Sequence, residues 1–155
     1  MQPSNRPIRK RAFVAAATFA LITLGLTALA CAGESTEENV TQKANIQIVN
    51  DFMDAWSDPD KAVTYLDPNA SVRMIEDQPA VVGRAAIADV FKSFMKPGVT
   101  LEVDTLESMA RGPVVMNKRI DTMRTPGKPE QVFPVVGVFV VKDGKITEWT
   151  DYLDK

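Results

Sequence analysis

Alternating apolar and polar positions dominate the last third of this chain. Val115, Asn117, Arg119, Asp121 and Met123 fall on one face of a predicted strand over residues 113–125. Trp149, Asp151 and Leu153 share a face of another strand over 145–153. Between them, Val132 to Val141 is nearly continuous apolar sequence and predicts a strand over 131–142. The turn Lys142-Asp143-Gly144-Lys145 follows it, and Asp-Gly between apolar runs predicts a tight hairpin.

Upstream the period changes from two to about 3.6. Ile46, Val49, Phe52, Met53 and Trp56 mark one helix, with Asn39 or Thr41 as its cap. Asp58-Pro59-Asp60 starts a second, shorter helix that buries Val63, Tyr65 or Leu66 and ends near Asp67-Pro68-Asn69. Residues 71–77 form a short strand candidate. Gly83-Arg84 then opens a third helix, whose stripe is Ile87, Val90, Phe91, Phe94 and Met95, and Pro97-Gly98 ends it. The aromatic and methionine stripes of the long helices read as core. Leu101, Val103 and Leu106 suggest a strand with a break over 99–109. Helices first and antiparallel strands after give an α+β fold. A curved sheet, mixed or antiparallel, wrapped around three N-terminal helices leaves a cone-shaped cavity suited to a small apolar ligand.

The first 30 of the 155 residues read as an export signal rather than as part of this fold. Arg6, Arg9, Lys10 and Arg11 precede an uncharged run from Ala12 to Gly33, with Ala28-Leu29-Ala30 ahead of Cys31. Cys31 is the only cysteine, and its place after this segment resembles a bacterial lipobox, which implies lipidation there and attachment to the membrane. Cleavage after Ala30 by an ordinary signal peptidase, or an uncleaved anchor, are the alternatives. All of these readings place the domain outside the cytoplasm, lipid-anchored to the cell envelope or periplasmic. Residues 31–45 read as a polar tether and 46–155 as the domain.

Removing the signal leaves 14 basic residues against 20 acidic ones, a formal charge of −6. An acidic domain without a basic cluster argues against nucleic acid as a partner. There is no histidine, the commonest metal ligand and the usual general base, so no metal is expected and acid–base chemistry falls to carboxylates. Asp151 between Trp149 and Leu153 is an odd place for a carboxylate on a core-facing side, because buried charges need partners. Arg119 and Asp121 supply them if one guanidinium sits between two carboxylates. The competing assignment is an exposed ion pair of Arg119 with Asp121, with Asp151 capping the chain end.

Arg119-Ile120-Asp121, Gly137-Val138-Phe139, Gly144-Lys145-Ile146-Thr147 and Trp149 with Asp151-Tyr152 resemble the limonene-1,2-epoxide hydrolase family. That family lies in the nuclear transport factor 2-like (SnoaL-like, cystatin-like) superfamily of cone-shaped α+β folds. Tyr65-Leu66 and Gly83-Arg84 extend the resemblance over residues 46–154. It implies hydrolysis of an epoxide to a vicinal diol in one step, with no cofactor. Asp121 would be the acid, Asp151 the base that activates water, and Arg119 the bridge. The family's water-orienting tyrosine and asparagine align with Val72 and Met74, a departure for which Asn117 or Glu76 are the candidate substitutes. The expected pocket includes Val72, Met74, Asn117, Met123, Trp149 and Leu153. An isomerase or cyclase acting on a steroid- or polyketide-like substrate, and a non-catalytic binding module, are the alternatives. The resemblance also makes a homodimer an expectation.

Overall fold

The computed structural model describes the backbone of residues 23–153 and the side chains of residues 36–153. The signal reading of residues 1–30 and the modification of Cys31 concern side chains outside the described residues. Among the described residues, no helix is long and apolar enough to cross a membrane. The chain divides into a unit of residues 1–36 and a compact unit, Glu37–Lys155, that carries the sheet.

Helix α1 (Thr23–Ala55) begins well before the expected cap, and neither Asn39 nor Thr41 starts it. Residues 37–45, read as tether, are helical here. The stretch contains no proline and is rich in helix-forming Glu, Gln, Lys and Ala, and Gln42 bonds Glu38 one turn away at 2.9 Å. Helix α2 (Pro59–Ala62) is capped by the Asp58 carboxylate, which accepts from the Lys61 amide at 3.2 Å. It runs into one 3-10 turn, Val63–Tyr65, and strand β1 (Leu66–Arg73) starts at once. The first strand is therefore longer and earlier than residues 71–77, and Asp67-Pro68-Asn69 lies on it. A register shift between Leu66 and Ser71 accommodates the proline. A two-residue strand, β2 (Val81–Val82), precedes helix α3 (Arg84–Phe94).

Strands β3 (Thr100–Arg111), β4 (Val114–Arg124), β5 (Gln131–Lys142) and β6 (Lys145–Leu153) complete the sheet. The last three match the sequence expectation to within a residue or two. The break expected in β3 is a bulge at Leu106, which turns that side chain outward. In the β5–β6 turn, Asp143 and Gly144 both take positive φ, 49° and 72°, as a two-residue hairpin requires. The sheet order is β2-β1-β6-β5-β4-β3, with β1 parallel to β6 and the other pairs antiparallel. This is the expected α+β fold, with a curved, unclosed, mixed sheet and three helices.

Phe52 of α1 is the hub of the core. Its ring meets Tyr65, Phe91, Phe139 and Trp149 at 5.4–6.5 Å between centroids, and Trp149 stacks on Phe139. Ile87 and Phe91 bury one side of α3, whereas Phe94 of the same stripe is 46% exposed. Truncating Phe52 to alanine is expected to cost about 3–5 kcal/mol in urea unfolding, and Phe94→Ala about 1 kcal/mol or less.

Candidate active site

Strand alternation puts Val115, Asn117, Arg119 and Asp121 on the buried side of β4, and Trp149 and Asp151 on the buried side of β6, where a bulge at Thr147 lets Ile146 face the same way. Pairing then arranges them in rows. Asn117, Gly137 and Asp151 stand side by side across β4, β5 and β6, and Arg119, Val135 and Leu153 form the next row toward the open end. Asp121 pairs with Phe133 one row further on. Asp151 is thus two strands from β4, about 10 Å at ordinary strand spacing. Only a long side chain lying across β5 spans that gap.

Arg119 does so. It is fully buried, and its Nε donates to Asp121 at 2.9 Å and 3.2 Å, favouring Oδ1. Its Nη2 donates to Asp151 Oδ2 at 2.5 Å, and its Nη1 to Asn117 Oδ1 at 3.0 Å. The other Asp151 oxygen accepts from the Trp149 indole at 2.6 Å. The guanidinium also faces the rings of Trp56 and Trp149, with Cζ 5.7 and 6.0 Å from their centroids. The exposed-ion-pair assignment is thereby overturned, since Arg119, Asp121 and Asp151 are all at most 4% exposed.

Gly137 makes the crossing possible. A Cβ there would come within 2.5 Å of Arg119 Nη1, 2.6 Å of Asn117 Oδ1 and 2.7 Å of the Phe139 ring. All three are closer than real Cβ contacts, so the guanidinium occupies a notch that only glycine leaves.

A cavity of about 180 Å³ opens beside this cluster. Asp121 and Asp151 are on its walls, and every other wall residue among those described is apolar. Met74, Met123 and Leu153 line it as expected. Val72 and Trp149 do not: both are in the core, paired in register, one row deeper than Asp151. Asn117 is also off the walls, committed to Arg119. Glu76 accepts weakly from the Leu153 amide at 3.4 Å and is likewise not a wall residue. Conversely, Trp56, Phe91, Phe94 and Met95, read as core from their helical spacing, line the cavity, as do Ile75, Leu101, Phe133 and Val135. Helical periodicity marks a buried stripe but not the point where core gives way to cavity. For Phe133 and Val135 a signal existed, because they share the inward face of β5 with Gly137.

Burial sets the electrostatics. It works against the Arg119 charge, yet Asp151 and then Asp121 outweigh it and hold the guanidinium above its ordinary value. Burial raises Asp121, with Arg119 pulling it back. Burial pushes Asp151 up to about 6, against Arg119 and the Trp149 hydrogen bond. Two carboxyls sharing one cation in an apolar pocket titrate as a pair. The arrangement can hold a proton at one carboxyl and a negative charge at the other, facing one apolar space.

The family model described as the limonene-1,2-epoxide hydrolase catalytic domain matches residues 43–155. Among solved structures, an epoxide hydrolase of the same type from M. tuberculosis superposes with a TM-score of 0.66 at 28% identity, covering 74% of this chain and 85% of that one. A polyketide-cyclase candidate from Xanthomonas campestris pv. campestris gives 0.62 at 22% identity, over 73% and 92%. A SnoaL-like polyketide-cyclase candidate from Jannaschia sp. CCS1 gives 0.62 at 21%, over 73% and 87%. At those identities the last two bear on the fold alone.

The pKa directions fix a pH signature. A carboxyl raised by folding contributes stability that is fully present below its unfolded value and is lost as pH rises through its folded value. For Asp151 that window runs from the ordinary carboxylate range to about 6. Replacing Arg119 with methionine leaves two buried carboxyls without their cation. The variant is expected to lose about 3–5 kcal/mol at pH 7.5 and to recover most of it at pH 4.5, measured by urea unfolding. A loss independent of pH would contradict the geometry.

Proposed function

Because the chain belongs to the limonene-1,2-epoxide hydrolase catalytic-domain family, we propose that it opens a small apolar epoxide to a vicinal diol by direct attack of water. The observation that carries this reading is Arg119 joining two carboxylates that line one apolar cavity. Asp121 is the acid and Asp151 the base. Deeper burial on its own favours a proton on Asp151. Within the pair, hydrogen bonding favours Asp121: a separate donor stabilises each oxygen of Asp151, whereas both oxygens of Asp121 share one N–H. A base titrating near 6 is largely ionised at neutral pH and still basic enough to take a proton from water.

In the proposed step, water attacks one epoxide carbon and gives its proton to Asp151. The bond from that same carbon to the epoxide oxygen breaks on the far side, and the oxygen takes the proton of Asp121. Arg119 keeps its charge between the two throughout. Proton exchange through the open cavity resets the pair.

One observation favours a second reading. Apart from the pair, the cavity walls carry no charged, amide or hydroxyl side chain among the described residues, and Met74 stands where a water-orienting group is expected. That supports a module that binds an apolar molecule, or an isomerase or cyclase that needs no bound water. At the chain's start, the basic and then apolar residues ahead of Cys31 support export and lipid attachment. Exposed Met109, Met116, Val136 and Tyr152 on the outer sheet face support pairing of two copies.

The test is diol formation from 1-methylcyclohexene oxide, followed by gas chromatography. Asp121→Asn and Asp151→Asn are each expected to lower kcat by about 10²–10⁴-fold. The acid limb of kcat/KM is expected near pH 6, as Asp151 ionises. Met74→Asn, which puts an amide on the wall, is expected to raise kcat. A folded wild type without turnover on this and a panel of similar epoxides would sink the hydrolase reading in favour of the second.

A further inference from the structure

Two of the three guanidinium nitrogens of Arg119 meet carboxylates, and the third meets a neutral amide. We infer that Asn117 is the positioning residue of this site: its side-chain carbonyl fixes the rotation of the Arg119 guanidinium in the Gly137 notch, so that Nε and Nη2 reach Asp121 and Asp151 at once. The catalytic consequence rests on the reading above, but the positioning does not.

An arginine facing a single carboxylate prefers the two-pronged arrangement, two parallel N–H···O bonds to one partner. Here it makes one contact to each of two carboxylates on different strands. Nothing in the carboxylates enforces that division, since either is able to take both prongs. The third nitrogen decides it. Nη1 donates to Asn117 Oδ1 at 3.0 Å, and Asn117, Arg119 and Asp121 alternate along the same face of β4. A guanidinium held from below at Nη1 and from above at Nε turns only Nη2 toward β6. The space for Nη1 exists because Gly137, in register with both Asn117 and Asp151, carries no side chain.

The acceptor must also be neutral. Charged groups contacting the guanidinium are Asp121 from its own strand and Asp151 from β6. The residues paired with Asn117, Ser108 on β3 and Gly137 on β5, are uncharged. A carboxylate at 117 would be a third anion competing for one cation. The amide has a cost of its own. Asn117 is 2% exposed, and its Nδ2 is the one buried side-chain nitrogen or oxygen among the described residues without a hydrogen-bond partner. An unpaired buried donor destabilises a fold, and leucine at this position would not incur that cost. The useful half of the residue is therefore Oδ1.

The test reads Asp151 without turnover. Trp149 donates its indole N–H to Asp151, and the chain has two tryptophans, so Trp149→Phe assigns the signal. The indole 1H–15N resonance is followed against pH in the whole protein. In Asn117→Leu the guanidinium is expected to settle on Asp121, its neighbour on the strand, and release Asp151. The Trp149 midpoint then rises by about one pH unit or more, kcat on the epoxide falls at least tenfold with KM little changed, and the melting temperature at about pH 4.5, where Asp151 is protonated with or without its cation, is retained. Gly137→Ala, whose Cβ displaces both Nη1 and Asn117 Oδ1 from the notch, is expected to move the midpoint the same way. Asn117→Thr, which restores an acceptor, returns it toward the wild-type value. A merely structural role predicts a lower melting temperature with an unmoved midpoint in Asn117→Leu, and that result overturns the inference. Loss of wild-type turnover would sink the hydrolase reading, while the titration would still decide the role of Asn117.

Discussion

The site depends on one buried guanidinium shared between two carboxylates. Taking three charged groups out of water costs several kcal/mol each, and only close contacts in a low-dielectric setting offset that. The sheet meets the condition by row placement rather than by local sequence. Asp121 is two residues from Arg119 on one strand, Asp151 is two strands away, and Gly137 lets the guanidinium lie across the strand between them. Removing Arg119 leaves both carboxyls buried without their cation, and filling the Gly137 notch breaks the crossing to Asp151. The aromatic cluster of Phe52, Phe139 and Trp149 borders this arrangement, and Trp149 belongs to both parts, stacked in the core and bonded to Asp151.

The same constraint shapes the chemistry. A single cation between two carboxyls does not fully offset the burial of both, so each holds a proton to a higher pH than an ordinary carboxylate. Because the cavity walls are otherwise apolar, little solvent screening weakens that preference. The pair thus presents two proton-holding carboxyls to one small space. Hydration of an epoxide is the use proposed for it.

Much of this was legible in the sequence. Period-two alternation put Asn117, Arg119 and Asp121 on one face, and an aspartate between Trp149 and Leu153 signalled a paired carboxylate. The Asp143-Gly144 hairpin was legible too, but not the bulge at Thr147 that shifts the register by one and brings Asp151 rather than Thr150 opposite Gly137. The parallel pairing of β1 with β6 was not legible, because no local signal encodes a long-range crossover. It is also what places Val72 beside Trp149 in the core rather than on the cavity wall. Helix α1 hid its start, because strong helix formers continue through a stretch whose polarity suggested a tether. Gly137 was visible as part of a motif, but its reason lay in the guanidinium packed over it.

The most direct measurement is the 13C chemical shift of the Asp121 and Asp151 carboxyls across pH, in protein labelled at aspartate. The account predicts that the two titrate as a coupled pair, both above the ordinary aspartate range, with Asp151 ionising at about 6. Both carboxyls titrating independently in the ordinary aspartate range, about 4 or below, would contradict it.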